Sequence, residues 1–282
     1  MRLLIIGASG LVGYNLMQVA SDAGHEVVGT YSQFSVAGLT HLQLGDPKLL
    51  QELLRSFKPN AVACCAAWSW VDGCEADPGR AFKENCELPA HAALAAQDVG
   101  AHFVYFSSSY IFDGEDGPYD ESAVPNPLSV YGRSKLAGEE AVTQNSDGTA
   151  TIIRTMGIYG PEPQQKNFIY QIRSTLSDRR RMKVPQDQLG NTTDAKNLAQ
   201  AVISVCSERA TGIWNVGGPD PVLPRSEFAR QVAYSYDLDS SLFDFLTTNE
   251  LGQKAKRPLR AGLVTRKAET GLHWKPTPWA VF

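Results

Sequence analysis

The chain has 282 residues, 43% of them hydrophobic and 20% charged, with a formal net charge of −4 at pH 7. That composition fits an ordinary globular protein of one large domain or two closely joined ones. The mild acidity gives no reason to expect nucleic acid or an anionic membrane as partner, and no apolar stretch approaches the ~20 residues of a membrane span.

Met1–Ile6 reads as a short apolar strand, too brief for a signal peptide's core. Gly7–Gly13 is a tight turn and Leu11–Ala23 a helix. Glu26–Thr30 is the second strand, Leu39–Leu44 the third, and a helix spans Asp46–Phe57. Ala61–Cys65 is a fourth apolar run. An alanine-rich helix covers Pro78–Val99, and His102–Ser107 is another strand. A loop with Pro118, Pro125 and Pro127 then leads into a helix that carries Tyr131 and runs to Gln144. Thr151–Arg154 is a strand, Phe168–Leu176 and Asp194–Cys206 are helices, Gly212–Val216 is a strand and Pro224–Tyr236 a helix. The five cysteines (Cys64, Cys65, Cys74, Cys86, Cys206) are odd in number and form no C-x-x-C pair. They read as reduced, buried thiols of a cytoplasmic protein.

Gly7, Ala8, Ser9, Gly10, Leu11, Val12 and Gly13 follow a strand and open a helix. Glycines there let the backbone approach a pyrophosphate, whose charge sits on the helix N-terminus. With the alternation of strands and helices, this predicts an α/β fold: a Rossmann-type doubly wound parallel sheet. After Thr155 the rhythm breaks, which suggests a smaller interleaved substrate-binding lobe. The expected division is 1–156 plus about 190–218 for the dinucleotide, and about 157–189 plus 219–282 for the substrate. Arg179–Arg181 reads as a solvated face, the alternative being a clamp for a substrate phosphate.

The end of the second strand distinguishes NAD from NADP, because a carboxylate there repels a 2′-phosphate. Gly29–Gln33 contains none, and Thr30 and Ser32 can donate hydrogen bonds, which leans to NADPH with NADH left open. Asp46 is placed to meet the adenine side or to cap the following helix ahead of Pro47.

Tyr131 and Lys135 stand four residues apart, so phenol and ammonium share one helix face. A free tyrosine titrates near ~10, and a fixed cation lowers that value. Ser108 lies at the carboxyl end of a strand, where ligands bind in such sheets. The three suggest carbonyl reduction by hydride: Tyr131 gives the proton, Ser108 holds the oxygen, and Lys135 tunes the phenol and binds the nicotinamide ribose. The histidines show no metal-ligand spacing, so no metal is expected.

Several stretches resemble the extended short-chain dehydrogenase/reductases, and among them the dTDP-4-dehydrorhamnose reductase family. They are Gly7–Gly13; Ala66, Ala67 and Trp68 with Val71, Asp72 and Glu75; Asn85; Ser107–Gly114; Pro127–Glu139; Arg154; Tyr159-Gly160; Gln188, Gly190 and Thr193; Leu198-Ala199; and Arg257-Pro258. The resemblance covers nearly the whole chain. It implies a nucleotide-sugar substrate, Ala66 and Ala67 against the cofactor, and Trp68, Ser108, Ser109 and Arg154 against the substrate. Three departures line the expected cleft: Ser107-Ser108-Ser109 in place of Ser-Thr-Asp, Gly190–Thr193 in place of Gly-x-Pro-Thr, and the tryptophans Trp68 and Trp70. The Asp-Glu pair of the related dehydratases is absent after Ser108. An epimerase and a non-catalytic relative of the methionine adenosyltransferase regulatory subunit remain alternatives. A homodimer is compatible with these features, none of which fixes the oligomeric state.

Overall fold

Strand β1 (Arg2–Ile6) shows how the sheet is buried. In the computed structural model, which describes residues 1–282, Leu3 and Ile5 face one apolar core while Leu4 and Ile6 face another. Successive side chains of a strand point to opposite faces, so a continuous apolar run is covered on both sides.

The chain continues through α1 (Leu11–Asp22), β2 (Glu26–Tyr31), β3 (Thr40–His41), α2 (Pro47–Phe57), β4 (Ala61–Cys64), α3 (Val71–Ala76) and α4 (Pro78–Phe82). A π-turn at Lys83–Glu87 precedes α5 (Leu88–Asp98), β5 (His102–Ser108), α6 (Val130–Asn145), β6 (Thr151–Thr155) and β7 (Ile158–Tyr159). Next come α7 (Phe168–Ser177), β8 (Met182–Pro185), β9 (Leu189–Gly190), β10 (Thr193–Asp194), α8 (Ala195–Glu208) and β11 (Gly212–Asn215). The last elements are β12 (Leu223–Pro224), α9 (Arg225–Ser235), β13 (Phe243–Leu246), α10 (Thr248–Leu251) and α11 (Arg266–Gly271).

Seven strands form one sheet in the order β11-β6-β5-β4-β1-β2-β3, and every pairing in it is parallel. Helices α1 and α8 cover one face through Leu16, Ala20, Leu198, Val202 and Val205. The other face is covered by α2, α5 and α6 through Leu50, Leu54, Ala93, Ala96 and Val142. Strand order reverses between β1 and β4, and the crevice beyond their carboxyl ends is where such sheets bind ligands.

A third core lies outside the sheet. Ile169, Ile172 and Leu176 of α7 meet Phe228 and Val232 of α9, Val184 of β8 and Phe243 of β13. This back lobe is not built from all of 219–282. Ala268, Leu272 and Trp274 pack into the first sheet core, and the Trp274 indole donates to the Asn197 carbonyl at 2.9 Å. Trp279 and Phe282 then return to the back lobe.

Two expected elements differ. The third strand pairs with β2 only at Thr40 and His41. The helix over Pro78–Val99 is interrupted by the π-turn, and there is a local cause. Pro89 has no N–H, so the Asn85 carbonyl four residues earlier loses its helical donor. The Tyr105 hydroxyl donates to it instead, at 2.6 Å.

Candidate active site

The glycine turn closes on itself around Gly7, whose φ of +86° is disfavoured for any residue with a side chain. A Cβ on Gly13 would stand 2.5 Å from the Gly7 carbonyl oxygen, so the third glycine lets α1 begin directly on the turn. Gly10 caps α1 without any side-chain hydrogen bond, which leaves the first N–H groups of the helix free for an anion. Gly10, Leu11 and Val12 line a cavity of about 800 Å³ between the sheet and the back lobe.

Ser108, Tyr131 and Lys135 line the same cavity. Ser108 ends β5, and its Oγ accepts from the Tyr110 N–H at 3.2 Å, starting the short turn at Ser109–Ile111. The start of α6 is fixed twice: Ser129 accepts from the Gly132 N–H, and the Val130 N–H donates to Glu75 at 2.8 Å. Tyr131 therefore sits in the first turn of α6, edge-on to Tyr110 at 5.7 Å between ring centroids. Lys135 lies one turn on, 2% exposed, with Nζ 4.0 Å from the centre of the Tyr105 ring.

Burial dominates the ionisation of both groups. It pushes the Tyr131 phenol up to about 12, against a smaller lowering by the Ser108 hydroxyl. It brings Lys135 down to about 8, with Cys64 and Glu139 opposing. The expected lowering of the Tyr131 pKa by Lys135 is not the balance found here. Lys135 is itself desolvated and lies over Tyr105, and the groups that act on the phenol are Ser108, Tyr110 and Cys74.

A second cavity, of about 480 Å³, opens at the end of β2. Gly7, Thr30, Ser32 and Ala66 line it, and Ala67 lines both cavities. Thr30 is 1% exposed and its hydroxyl accepts from the Gly7 N–H at 3.2 Å, tying the turn to β2. Arg80, Lys83 and Glu84 also line this cavity, with Arg80 paired to Glu84 at 2.7 Å, which no spacing in the sequence announced.

Trp68 lines the main cavity, with Arg80 over its ring at 4.2 Å. Five other expected site residues line neither cavity, Gly13 of the turn among them. The Ser9 carbonyl accepts from Gln164 of the back lobe at 3.0 Å. Asp46 caps α2, accepting from the N–H groups of Lys48 and Leu49 at 3.0 and 3.4 Å. The Ser109 hydroxyl, fully buried, donates to the Met156 sulfur. Arg154 is buried against Glu139 at 2.7 Å, so its guanidinium faces the protein interior and not a substrate. Arg181 pairs with Asp244 and Arg180 with Asp178 at the surface, and none of Arg179–Arg181 lines the cavity.

The site fits a dinucleotide on the structure's own terms. The turn presents unused N–H groups, and the buried Ser107 Oγ and Thr155 Oγ1 have no hydrogen-bond partner although both residues line the cavity. No group of histidine, cysteine and carboxylate side chains is arranged to hold a metal ion. No helix is long and apolar enough to cross a membrane.

Fold and site together define a Rossmann-type reductase architecture with a serine, a tyrosine and a lysine lining the cavity at the carboxyl edge of the sheet. The family model described as the RmlD substrate binding domain matches residues 1–281, and the chain belongs to that family, the dTDP-4-dehydrorhamnose reductase-like branch of the extended short-chain dehydrogenase/reductases. It is 30% identical to the probable low-salt glycan biosynthesis reductase Agl14 of Haloferax volcanii, over 96% of this chain and 92% of that one. Methionine adenosyltransferase 2 subunit beta of Rattus norvegicus is 28% identical, over 99% and 85% of the two chains. Among solved structures, dTDP-4-dehydrorhamnose reductase of Bacillus anthracis in complex with NADP superposes with a TM-score of 0.88 at 25% identity, covering 98% and 94%.

Proposed function

We propose that this chain uses NADPH to reduce a keto group on a nucleotide-linked sugar of the dTDP-4-keto-6-deoxyhexose type. The observation that carries the reading is the convergence of Ser108, Tyr131 and Lys135 on one cavity with the open end of α1. Membership of the family and the NADP-bound Bacillus anthracis reductase support it. The front of the chain would hold the dinucleotide, and the lobe around α7 and α9 the sugar nucleotide.

NADPH, when bound, supplies the hydride to the carbonyl carbon. Tyr131 keeps its proton at neutral pH because burial holds its pKa near about 12, so it stands ready to donate to the carbonyl oxygen. Ser108 Oγ already accepts from the Tyr110 N–H, which leaves its own proton to donate to the same oxygen. Lys135, one helical turn from Tyr131, would meet the cofactor ribose with its ammonium. The adenosine-side cavity has no carboxylate at the end of β2, where Ser32 lines it, and Lys83 adds a cation while Arg80 is paired with Glu84 of the same lining, which leans to the 2′-phosphate.

The test is NADPH oxidation by the purified protein with a dTDP-4-keto-6-deoxyhexose, compared with Tyr131→Phe. Turnover that falls at least ~100-fold in the variant agrees with a proton donor. The relation to methionine adenosyltransferase 2 subunit beta gives a second reading, a non-catalytic partner protein. NADPH binding without turnover of any keto sugar, and unchanged by Tyr131→Phe, is the result that reading requires.

A further inference from the structure

Arg225 begins α9 and lines the main cavity from the back-lobe side. Its backbone N–H donates to the Gln188 carbonyl at 2.8 Å, which fixes the start of the helix. Its guanidinium lies 3.9 Å from the centre of the Phe168 ring. That contact holds the guanidinium over an aromatic face and leaves its N–H groups free. The side chain is exposed at the open side of that cavity.

No carboxylate answers it. The ion pairs of the chain leave Arg225 out. Its charged neighbour is Arg257, which is already bound to Asp72 at 3.0 Å. Glu162 is the one carboxylate residue lining the cavity, and it is turned to other work. Its Oε1 accepts from the N–H groups of Lys166 and Asn167 and from the Asn167 side-chain amide. The remaining charged residues of the lining, Lys135 and Lys166, are positive. An unpaired arginine over an aromatic ring, in a cavity whose other lining side chains are mostly neutral or positive, is placed to meet an anion there.

The dinucleotide's own pyrophosphate is already provided for at the turn by α1. Lys166 adds to that end: its Nζ donates to Gln164, which in turn donates to the Ser9 carbonyl of the turn. Arg225 comes from the opposite lobe, beside Phe168, Phe228 and Gln188. We propose that Arg225 binds phosphate oxygens of the substrate's nucleotide, and thereby makes the site selective for a sugar carried on a diphosphate over a free sugar. This rests on the nucleotide-sugar reading above. A planar guanidinium meets phosphate through two parallel hydrogen bonds, so arginine is the residue suited to the task.

The experiment measures binding of dTDP, UDP and thymidine to the NADPH-saturated wild type and to Arg225→Met and Arg225→Lys. Wild type is expected to hold a diphosphate far more tightly than thymidine. Arg225→Met should weaken diphosphate binding roughly 10- to 100-fold while leaving thymidine and NADPH binding unchanged. Arg225→Lys should recover part of the loss. Intact NADPH binding shows that the variant is folded. Wild-type diphosphate affinity in Arg225→Met overturns the role of Arg225 alone. A wild-type protein that binds NADPH but neither diphosphate overturns the nucleotide-sugar reading, and this inference with it.

Discussion

Arg154 and Glu139 form an ion pair inside the protein, with Nη2 2.7 Å from Oε2 and side chains 3% and 5% exposed. Arg154 Nε also donates to Oε1 at 3.0 Å, and the guanidinium sits 5.4 Å from the Phe112 ring centre. The pair ties β6 to α6, the helix that carries Tyr131 and Lys135. Removing one partner leaves the other as an uncompensated buried charge, at a cost of about 3–5 kcal/mol. Arg154→Met is therefore expected to lower Tm sharply, and Arg154→Met with Glu139→Met to recover much of the loss. The substrate KM, measured below the melting range of each variant, should stay near wild type. A raised KM with Tm intact would return Arg154 to the substrate.

On the proposed mechanism, the pH profile separates the two ionisable groups of the site. Tyr131, at about 12, keeps its proton across the working range. Lys135, at about 8, loses its charge as pH rises through that value. Without the ammonium, the proposed charged contact of Lys135 with the cofactor ribose is lost. kcat/KM for reduction should hold level between roughly pH 6 and 7.5 and decline above about 8. A profile that stays flat to pH 9.5 rules out the ammonium's part in the step.

Lys135 should also cost the fold stability. Its folded pKa, about 8, lies below the ~10.4 of a free lysine, so the folded chain binds this proton less tightly than the unfolded one. The penalty is present in full below pH 8 and fades as pH climbs from there toward the unfolded value. Two pKa units and more correspond to about 3 kcal/mol, partly offset by the contact with Tyr105. Lys135→Met keeps the volume and removes the charge. Calorimetry at pH 7 should find Tm raised by roughly 3–5 °C, and assays should find turnover reduced at least ~100-fold. A lowered Tm contradicts the sign of this argument.

What was legible in the chain was what repeats at fixed spacing. Alternating apolar runs announced the sheet, and the glycine turn and the Tyr131–Lys135 pair pointed to stretches that the fold brings to one cavity. Interactions set by distant partners were not legible. Arg154 looks like a ligand residue until Glu139 is seen beside it. Lys135 was expected to act on Tyr131, but the burial that governs both groups is a property of the packed molecule. Arg80, Lys83 and Arg225 belong to no motif, and only folding carries them to the cavities. The final residues after 262 cross between the cores because Leu272 and Trp274 find their partners on α8, which no local pattern encodes.

Asn85 joins three parts of the site. Its side chain accepts from the Trp68 N–H at 2.8 Å and donates to the Trp68 carbonyl at 3.0 Å, while also donating to Ser134 Oγ on α6 at 3.0 Å. Its carbonyl accepts from Tyr105, the ring on which the Lys135 ammonium rests. Asn85→Leu keeps the carbonyl and removes the side-chain bonds, leaving the Trp68 N–H and carbonyl without their partner. The loss in stability should be about 1–3 kcal/mol. The effect on kinetics should fall mainly on KM, because Trp68 lines the cavity while Tyr131 and Lys135 remain held by α6. An increase in KM of roughly tenfold with kcat reduced less than threefold is the expected split, corresponding to about 1.4 kcal/mol of lost binding. If instead kcat collapses at unchanged KM, Asn85 acts through Tyr105 and Lys135, and Trp68 is not the substrate wall.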